Sequence, residues 1–231
     1  MQFFLDSLRS ALLLIRDLDP ELVNIVGVSL KVSLASTLLA ALLGVPLGFA
    51  VAMARFPGRR GVITLFNTLL AVPTVVIGLV VYTFISRRGI LGEWELLYTQ
   101  TAIVIGQTLL VLPIVATFTI SALSRIDTRY RKAALTLGAN TWQAALLVLR
   151  EARYGIGAAV VAAFGRAIAE IGVAMMLGGN ARGFTRTMTT AMALEYDKGQ
   201  FVLAVALGVI LLSISLVVNI VLNIFQGRLE K

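Results

Sequence analysis

Residues 125–153 read RIDTRYRKAALTLGANTWQAALLVLREAR, and this stretch decides how the rest of the chain is organised. Asp127 and Thr128 can cap a helix, and the alanines and leucines that follow favour one. Gly138 then interrupts the pattern, and a second helical run follows at about residues 141–149. Both runs are too short to cross a bilayer, so the stretch predicts a helix–turn–helix joining two membrane spans.

The apolar patches of this helix–turn–helix have a basic surround, which leaves two interpretations open. Apolar surface that is too large to leave bare indicates docking to a partner protein. The alternative is a surface connector that lies on the bilayer.

The composition of the chain supports a membrane protein. Of its 231 residues, 58% are hydrophobic and only 14% are charged, against about 25% charged in an average soluble domain. The mean hydropathy is +0.92. A soluble fold could not bury so much apolar surface, so we expect an all-α, polytopic bundle of membrane helices.

The residues that are missing also exclude several functions. The sequence contains no cysteine and no histidine, which removes thiol chemistry, His- or Cys-ligated metal sites and histidine acid–base catalysis. An intramembrane enzyme would instead need a spaced cluster of carboxylates and hydroxyls, and the sequence shows no such cluster. The net charge of +8 bears on orientation in the membrane, and we expect no nucleic-acid partner.

Five segments are long and apolar enough to span, and they form one domain over residues 1–231. The spans lie within residues 23–54, 61–86, 99–123, 155–177 and 200–225. Gly44, Pro46 and Gly48 can bend the long first span. Residues 3–16 form an amphipathic helix that reaches only about 20 Å, so we predict an interfacial helix. A sixth, shortened span is the alternative.

The distribution of basic residues predicts the orientation. With five spans, eleven Lys and Arg residues lie on the side that carries residues 125–153 and the C-terminus, and seven lie on the opposite side. Basic residues concentrate on the cytoplasmic side of membrane proteins. The N-terminus is therefore predicted to lie outside and the helix–turn–helix in the cytoplasm.

Two charged residues lie inside the fourth span. Arg166 and Glu170 are four residues apart, so they share one helical face and can pair. Because an unpaired charge in the bilayer costs several kcal/mol, both should face protein or water. They are either a buried ion pair that fixes helix packing or part of a pathway in which Arg166 attracts an anion and Glu170 restrains it.

Polar groups also follow the fourth span and interrupt the second. Asn180 and Thr185 lie in a Gly- and Thr-rich turn whose groups could donate hydrogen bonds to an oxyanion or could simply cap helices. Pro73 lies in the middle of the second span, where it either kinks the helix or frees backbone groups. Thr74 can supply a partner to those groups.

The cytoplasmic stretch resembles the loop of ABC importer permeases, whose pattern is E-A-A, three residues, G, nine residues, I-x-L-P. Ala133, Ala134 and Gly138 match at the right spacing, and Val148 takes the isoleucine position. Lys132 replaces the glutamate, and Arg-Glu replaces the final Leu-Pro. The resemblance implies a coupling loop at about 125–153 that seats in an ATPase subunit through Lys132, Ala133, Ala134, Gly138, Ala139 and Val148.

The stretches AVPTVVIGL and FGRAIAEIGVAMMLGGNARGFTRTMTTAMALE narrow the resemblance to the sulfate, molybdate and tungstate branch, and the sequence is most similar to tungstate permeases. This implies an inner-membrane homodimer with two ATPase subunits and an extracytoplasmic binding protein. Molybdate, sulfate or another small solute is the alternative substrate. The chain contains no phosphate-binding loop motif, so ATP and Mg²⁺ are expected on the partner. The residues implied near the pathway or gate are Pro73, Thr74, Arg166, Glu170, Asn180 and Thr185.

Overall fold

The computed structural model of the protein describes residues 2–54 and 56–227, with side chains described over 9–54 and 56–225. The described residues form helices joined by short loops and one 3₁₀ turn, Gly92–Trp94. The helices are α1 Gln2–Arg16, α2 Pro20–Met53, α3 Arg59–Leu70, α4 Thr74–Ile85, α5 Gln100–Ser124, α6 Thr128–Thr136, α7 Thr141–Glu151, α8 Arg153–Ile168, α9 Gly172–Gly178, α10 Met188–Asp197 and α11 Phe201–Gly227. The predicted all-α membrane bundle is confirmed.

Three helices are long and apolar enough to cross a bilayer by themselves, namely α2, α5 and α11. The other two predicted spans are broken. The axes of α3 and α4 differ by 102°, and those of α8 and α9 differ by 59°. Counting each bent pair as one span gives up to five, in agreement with the sequence prediction.

The second span is broken rather than simply kinked, so of the two alternatives for Pro73 the plain kink does not hold. α3 ends at Leu70 and α4 begins at Thr74, with Pro73 at the N-terminal boundary of α4. Proline lacks an N–H and disfavours the helical conformation in the residue before it, so the chain turns sharply there. α4 has 12 residues, which reach about 18 Å and cannot cross the hydrocarbon core alone.

The centre of the bundle is the contact between α2 and α5. α2 continues as one helix through Pro46, so Gly44 and Gly48 do not break it. A Cβ on Gly48 would lie 2.7 Å from the Ala116 carbonyl oxygen and 2.8 Å from the Thr119 Cβ. The two glycines therefore let the backbones of α2 and α5 approach closely, as small residues do in membrane helices.

One side of α1 packs against the bundle, and the other side is exposed. Ala11 is fully buried in a cluster that includes Leu22 of α2, Met188 of α10 and Leu207 of α11, whereas Leu12 is half exposed. The predicted helix at residues 3–16 is confirmed as a helix. The side chains of residues 2–8 lie outside those described, and the interfacial position stays a prediction.

We predict that Gly48→Ala destabilises the protein and that Gly27→Ala, in the same helix, does not. A Cβ on Gly27 meets nothing within 4 Å, whereas one on Gly48 collides with α5 backbone. Overpacking should lower the free energy of unfolding by about 1–3 kcal/mol for Gly48→Ala. Thermal unfolding of both variants in detergent measures this. Equal stability of the two variants would contradict the close α2–α5 contact.

Candidate translocation site and coupling surface

The breaks in the second and fourth spans lie against each other. Thr74 opens α4, and Gly172 opens α9. A Cβ on Gly172 would lie 2.6 Å from Thr74 Oγ1 and 3.3 Å from Glu170 Oε1. The absence of a side chain at Gly172 therefore lets the two breaks approach closely here. The N-cap residue of α4 is Pro73, which has no side-chain capping hydrogen bond, and the role of Thr74 as a partner to the freed backbone stays a prediction.

Arg166 and Glu170 form the predicted ion pair. Arg166 Nη1 donates to Glu170 Oε2 at 2.6 Å. The Glu170 side chain is 2% exposed, and that of Arg166 is 39% exposed. Glu170 lies past the end of α8, in the break itself, rather than on a continuous helical face. The arginine is therefore the more exposed partner, and the buried carboxylate is the partner that needs protein donors.

The Glu170 residue joins three parts of the chain at the break. Its Oε1 accepts from the Val173 backbone N–H at 3.1 Å, which satisfies a free donor in the first turn of α9. Its backbone oxygen accepts from Thr189 Oγ1 at 2.7 Å. A carboxylate at a helix N-terminus is also favoured by the helix dipole.

Gln107 satisfies the other side of the break, and sequence reasoning missed it. Its Nε2 donates to the carbonyl oxygen of Ala167 at 3.2 Å, and its Oε1 accepts from Ser36 Oγ at 3.1 Å. Gln107 is 1% exposed. A glutamine within an otherwise apolar span is the sequence signal that could have identified it, because such a residue must find polar partners inside the bundle.

The turn after α9 uses its polar groups internally. Thr185 is fully buried; its Oγ1 donates to the Gly178 carbonyl at 2.6 Å and accepts from the Ala181 N–H at 3.0 Å. Asn180 Nδ2 donates to the Thr190 carbonyl at 3.3 Å. Thr187 and Thr190 form a capping box that starts α10. This geometry favours the capping interpretation for Asn180 and the threonines of the turn over their direct contact with an ion.

The structure thus brings four of the six predicted pathway residues to one place. Pro73, Thr74, Arg166 and Glu170 lie at the two facing breaks. Asn180 and Thr185 lie in the following turn, and Thr189, in the first turn of α10, hydrogen-bonds the Glu170 carbonyl at the break.

The predicted helix–turn–helix is confirmed as α6 and α7. Asp127 caps α6 by accepting from the Arg129 N–H at 2.8 Å, and Asn140 begins α7 with a capping box. Gly138 lies in the turn with φ +90°, a conformation that glycine adopts easily. The second helix is anchored to the bundle by the edge-on contact of Trp142 with Phe49 of α2.

The predicted coupling residues divide into exposed and buried sets. Lys132, Ala133 and Gly138 are exposed, while Ala134 and Ala139 are half-buried. Val148 is 5% exposed and packs against Leu123 and Ala152, so it anchors α7 to the bundle rather than facing a partner. The sequence analysis did not single out Leu137, which is 88% exposed at the turn.

A helical membrane bundle in which two broken spans meet around a buried ion pair has the architecture of a transport protein. The chain belongs to the family described as the binding-protein-dependent transport system inner membrane component, whose model matches residues 44–231. It is an ABC importer permease and a multi-pass protein of the inner membrane.

Three curated relatives match over nearly their full length. A probable anion ABC transporter permease of Haloferax volcanii is 43% identical, covering 90% of this chain and 91% of the relative. The tungstate uptake system permease TupB of Peptoclostridium acidaminophilum is 37% identical, covering 98% and 99%. TupB of Campylobacter jejuni is 34% identical, covering 96% and 92%.

Solved structures share the fold. The methionine ABC transporter MetNI, in inward-facing conformations, superposes with a TM-score of 0.73 at 18% identity, covering 91% of this chain and 97% of that chain. An amino acid ABC transporter crystallised with histidines superposes with a TM-score of 0.70 at 17% identity, covering 94% and 97%.

We predict that Arg166→Gln destabilises the protein more than Glu170→Gln does. Removing Arg166 leaves a carboxylate that is 2% exposed without its charged partner, whereas removing the charge of Glu170 leaves a guanidinium that is 39% exposed. The expected losses are about 3 kcal/mol and about 1 kcal/mol, and the double variant should recover part of the larger loss. Unfolding measurements on all three variants form the cycle. Additive losses would show that the two side chains do not interact.

Proposed function

We propose that this chain is the membrane-spanning subunit of a tungstate importer, driven by ATP hydrolysis on separate ATPase subunits. The support for the substrate is the 37% and 34% identity to two tungstate uptake permeases over at least 96% of the chain. The anion permease of Haloferax volcanii points to the same class of solute. Molybdate and sulfate are the alternatives within that class; a sulfate permease of Escherichia coli is 26% identical.

The proposed assembly is a homodimer of this chain with two ATPase subunits and an extracytoplasmic binding protein. The chain itself is non-catalytic, and ATP with Mg²⁺ binds on the ATPase partner. Two features favour this arrangement: the exposed turn between α6 and α7, and the anchoring of α7 on α2, α5 and α8. The excess of basic residues on the α6–α7 side supports a cytoplasmic position for the loop and an N-terminus outside.

The proposed mechanism is alternating access. The binding protein delivers the oxyanion to the outer face, and closure of the ATPase pair moves α6 and α7. That motion passes to the broken spans, which are the parts of the bundle that can change direction most easily. Arg166 at the α8–α9 break supplies positive potential, and Glu170 restrains it by holding one of its donors. Affinity along the path is modest because tight binding would slow release.

We predict that liposomes containing the chain, its ATPase and its binding protein accumulate tungstate only when ATP is supplied. Parallel uptake of molybdate and sulfate, at equal concentration, ranks the substrates. Loss of uptake when the binding protein is omitted is the control for the importer mechanism. Accumulation of a different solute in place of tungstate would overturn the proposed substrate but would still agree with an ABC importer.

We predict that Leu137→Glu abolishes ATP-coupled uptake while leaving the folded protein intact. Leu137 is 88% exposed, so the change costs little in the isolated chain but places a charge in an apolar docking contact. Ile90→Glu is the matched control, because Ile90 is 85% exposed in the loop between α4 and α5. Co-purification with the ATPase and stimulation of its ATP hydrolysis measure the effect. Normal ATPase binding by the Leu137→Glu variant would contradict the proposal that Leu137 lies in the docking surface.

A further inference from the structure

A second ion cluster is separate from the Arg166–Glu170 pair, since the two share no ion pair, and it plays no part in the function proposed so far. Arg186 Nη1 donates to Glu21 Oε1 at 3.1 Å, and Arg182 Nη2 donates to Glu21 Oε2. Glu21 lies in the first turn of α2, and both arginines lie in the turn between α9 and α10. Two guanidinium groups from one turn thus converge on the two oxygens of one carboxylate.

The two arginines, here called the arginine pair, differ in how they meet solvent. The Arg182 side chain is 72% exposed, whereas that of Arg186 is 9% exposed. The hydrogen bond from Arg182 to Glu21 raises the pKa of the Arg182 guanidinium. Within the described part of the chain, Nε of Arg186 is buried and has no hydrogen-bond partner. The arginine pair therefore has one buried N–H donor without a hydrogen bond, on Arg186, and one exposed member, Arg182, that an incoming anion can reach.

The turn holds the arginine pair in place without help from Glu21. Gln100 Nε2 donates to the Phe184 carbonyl at 2.6 Å, and Thr185 closes the turn through Gly178 and Ala181. Two further carboxylates lie near Arg182, and each is already engaged: Asp19 caps α2 and Glu195 pairs with Lys198. Glu21 is the carboxylate that the arginine pair holds, and its side chain is 27% exposed.

We propose that the arginine pair is an oxyanion acceptor site, and that Glu21 is the resident anion which an incoming tetrahedral oxyanion displaces. The inference rests on the proposed function for the class of ligand. An arginine fork binds two oxygens of an oxyanion in the same way as it binds a carboxylate. The site lies at the end of the bundle opposite α6 and α7, where the binding protein releases its ligand. Exchange leaves both arginines paired throughout, and the displaced Glu21 carboxylate, whose side chain is already 27% exposed, turns to solvent.

The test is equilibrium binding to the full chain in complex with its ATPase subunits, without ATP or binding protein. The probes are sodium tungstate, molybdate and sulfate. Glu21→Gln removes the resident charge but keeps the shape, so oxyanion binding should tighten about tenfold, the size of one strong charge-assisted hydrogen bond. Glu21→Gln combined with Arg182→Gln should lose that gain. Because Arg182 is 72% exposed, its substitution leaves the buried part of the cluster in place.

Glu93→Gln is the matched control, since Glu93 is an exposed carboxylate in the loop between α4 and α5. Its affinity should stay within about twofold of the parent, because exposed charges contribute little. Unchanged affinity in Glu21→Gln, together with a lower unfolding temperature, would make the cluster a purely structural tie and overturn the proposal. An equal gain in Glu93→Gln would reduce the effect to overall charge and also overturn it. Uptake of oxyanion by the parent complex in liposomes tests the proposed function separately.

Discussion

The bent conformation of the fourth span depends on the hydrogen bonds and the ion pair of the Glu170 carboxylate. A break in a membrane helix frees backbone N–H and C=O groups where no bulk water can satisfy them. Here one N–H of α9 is satisfied by Glu170 itself, the Ala167 carbonyl is satisfied by Gln107, and the charge of the carboxylate is balanced by Arg166. The fourth span can therefore change direction by 59° without leaving these groups unpaired.

The rest of the bundle is arranged around this break. α2 and α5 pack closely through Gly44 and Gly48 and form the rigid part of the fold. α7 rests on that part through Trp142 and Val148, and α8 begins two residues after α7 ends. Under the proposed function, a displacement of α6 and α7 would act first on the helices they contact, α2, α5 and α8, and α8 ends at the break next to Glu170. Packed elements with discrete arrangements transmit motion in this way.

Local patterns predicted most of the secondary structure, and long-range pairing could not be read from them. The spacing of Arg166 and Glu170 predicted the ion pair, and the helix-breaking Gly138 predicted the helix–turn–helix. Both features depend on neighbours within one or two helical turns. The contact of Thr74 with Gly172, the role of Gln107 and the Glu21–Arg186 bond join residues far apart in the chain. The burial of Val148 could not be predicted for the same reason: the loop pattern gives its position along the helix but not the α5 surface that covers it.

The two arginine sites have one feature in common: at each, a carboxylate of the same chain already forms an ion pair with the guanidinium groups. Arg166 is held by Glu170, and the arginine pair is held by Glu21. Bare guanidinium groups would be costly to bury and would hold a dianion too tightly to release it. A resident carboxylate turns binding into an exchange, so the net affinity is the difference between two similar interactions. Under the two proposals, such cations would guide an anion through the bundle without trapping it, and tight selection would fall to the proposed binding protein.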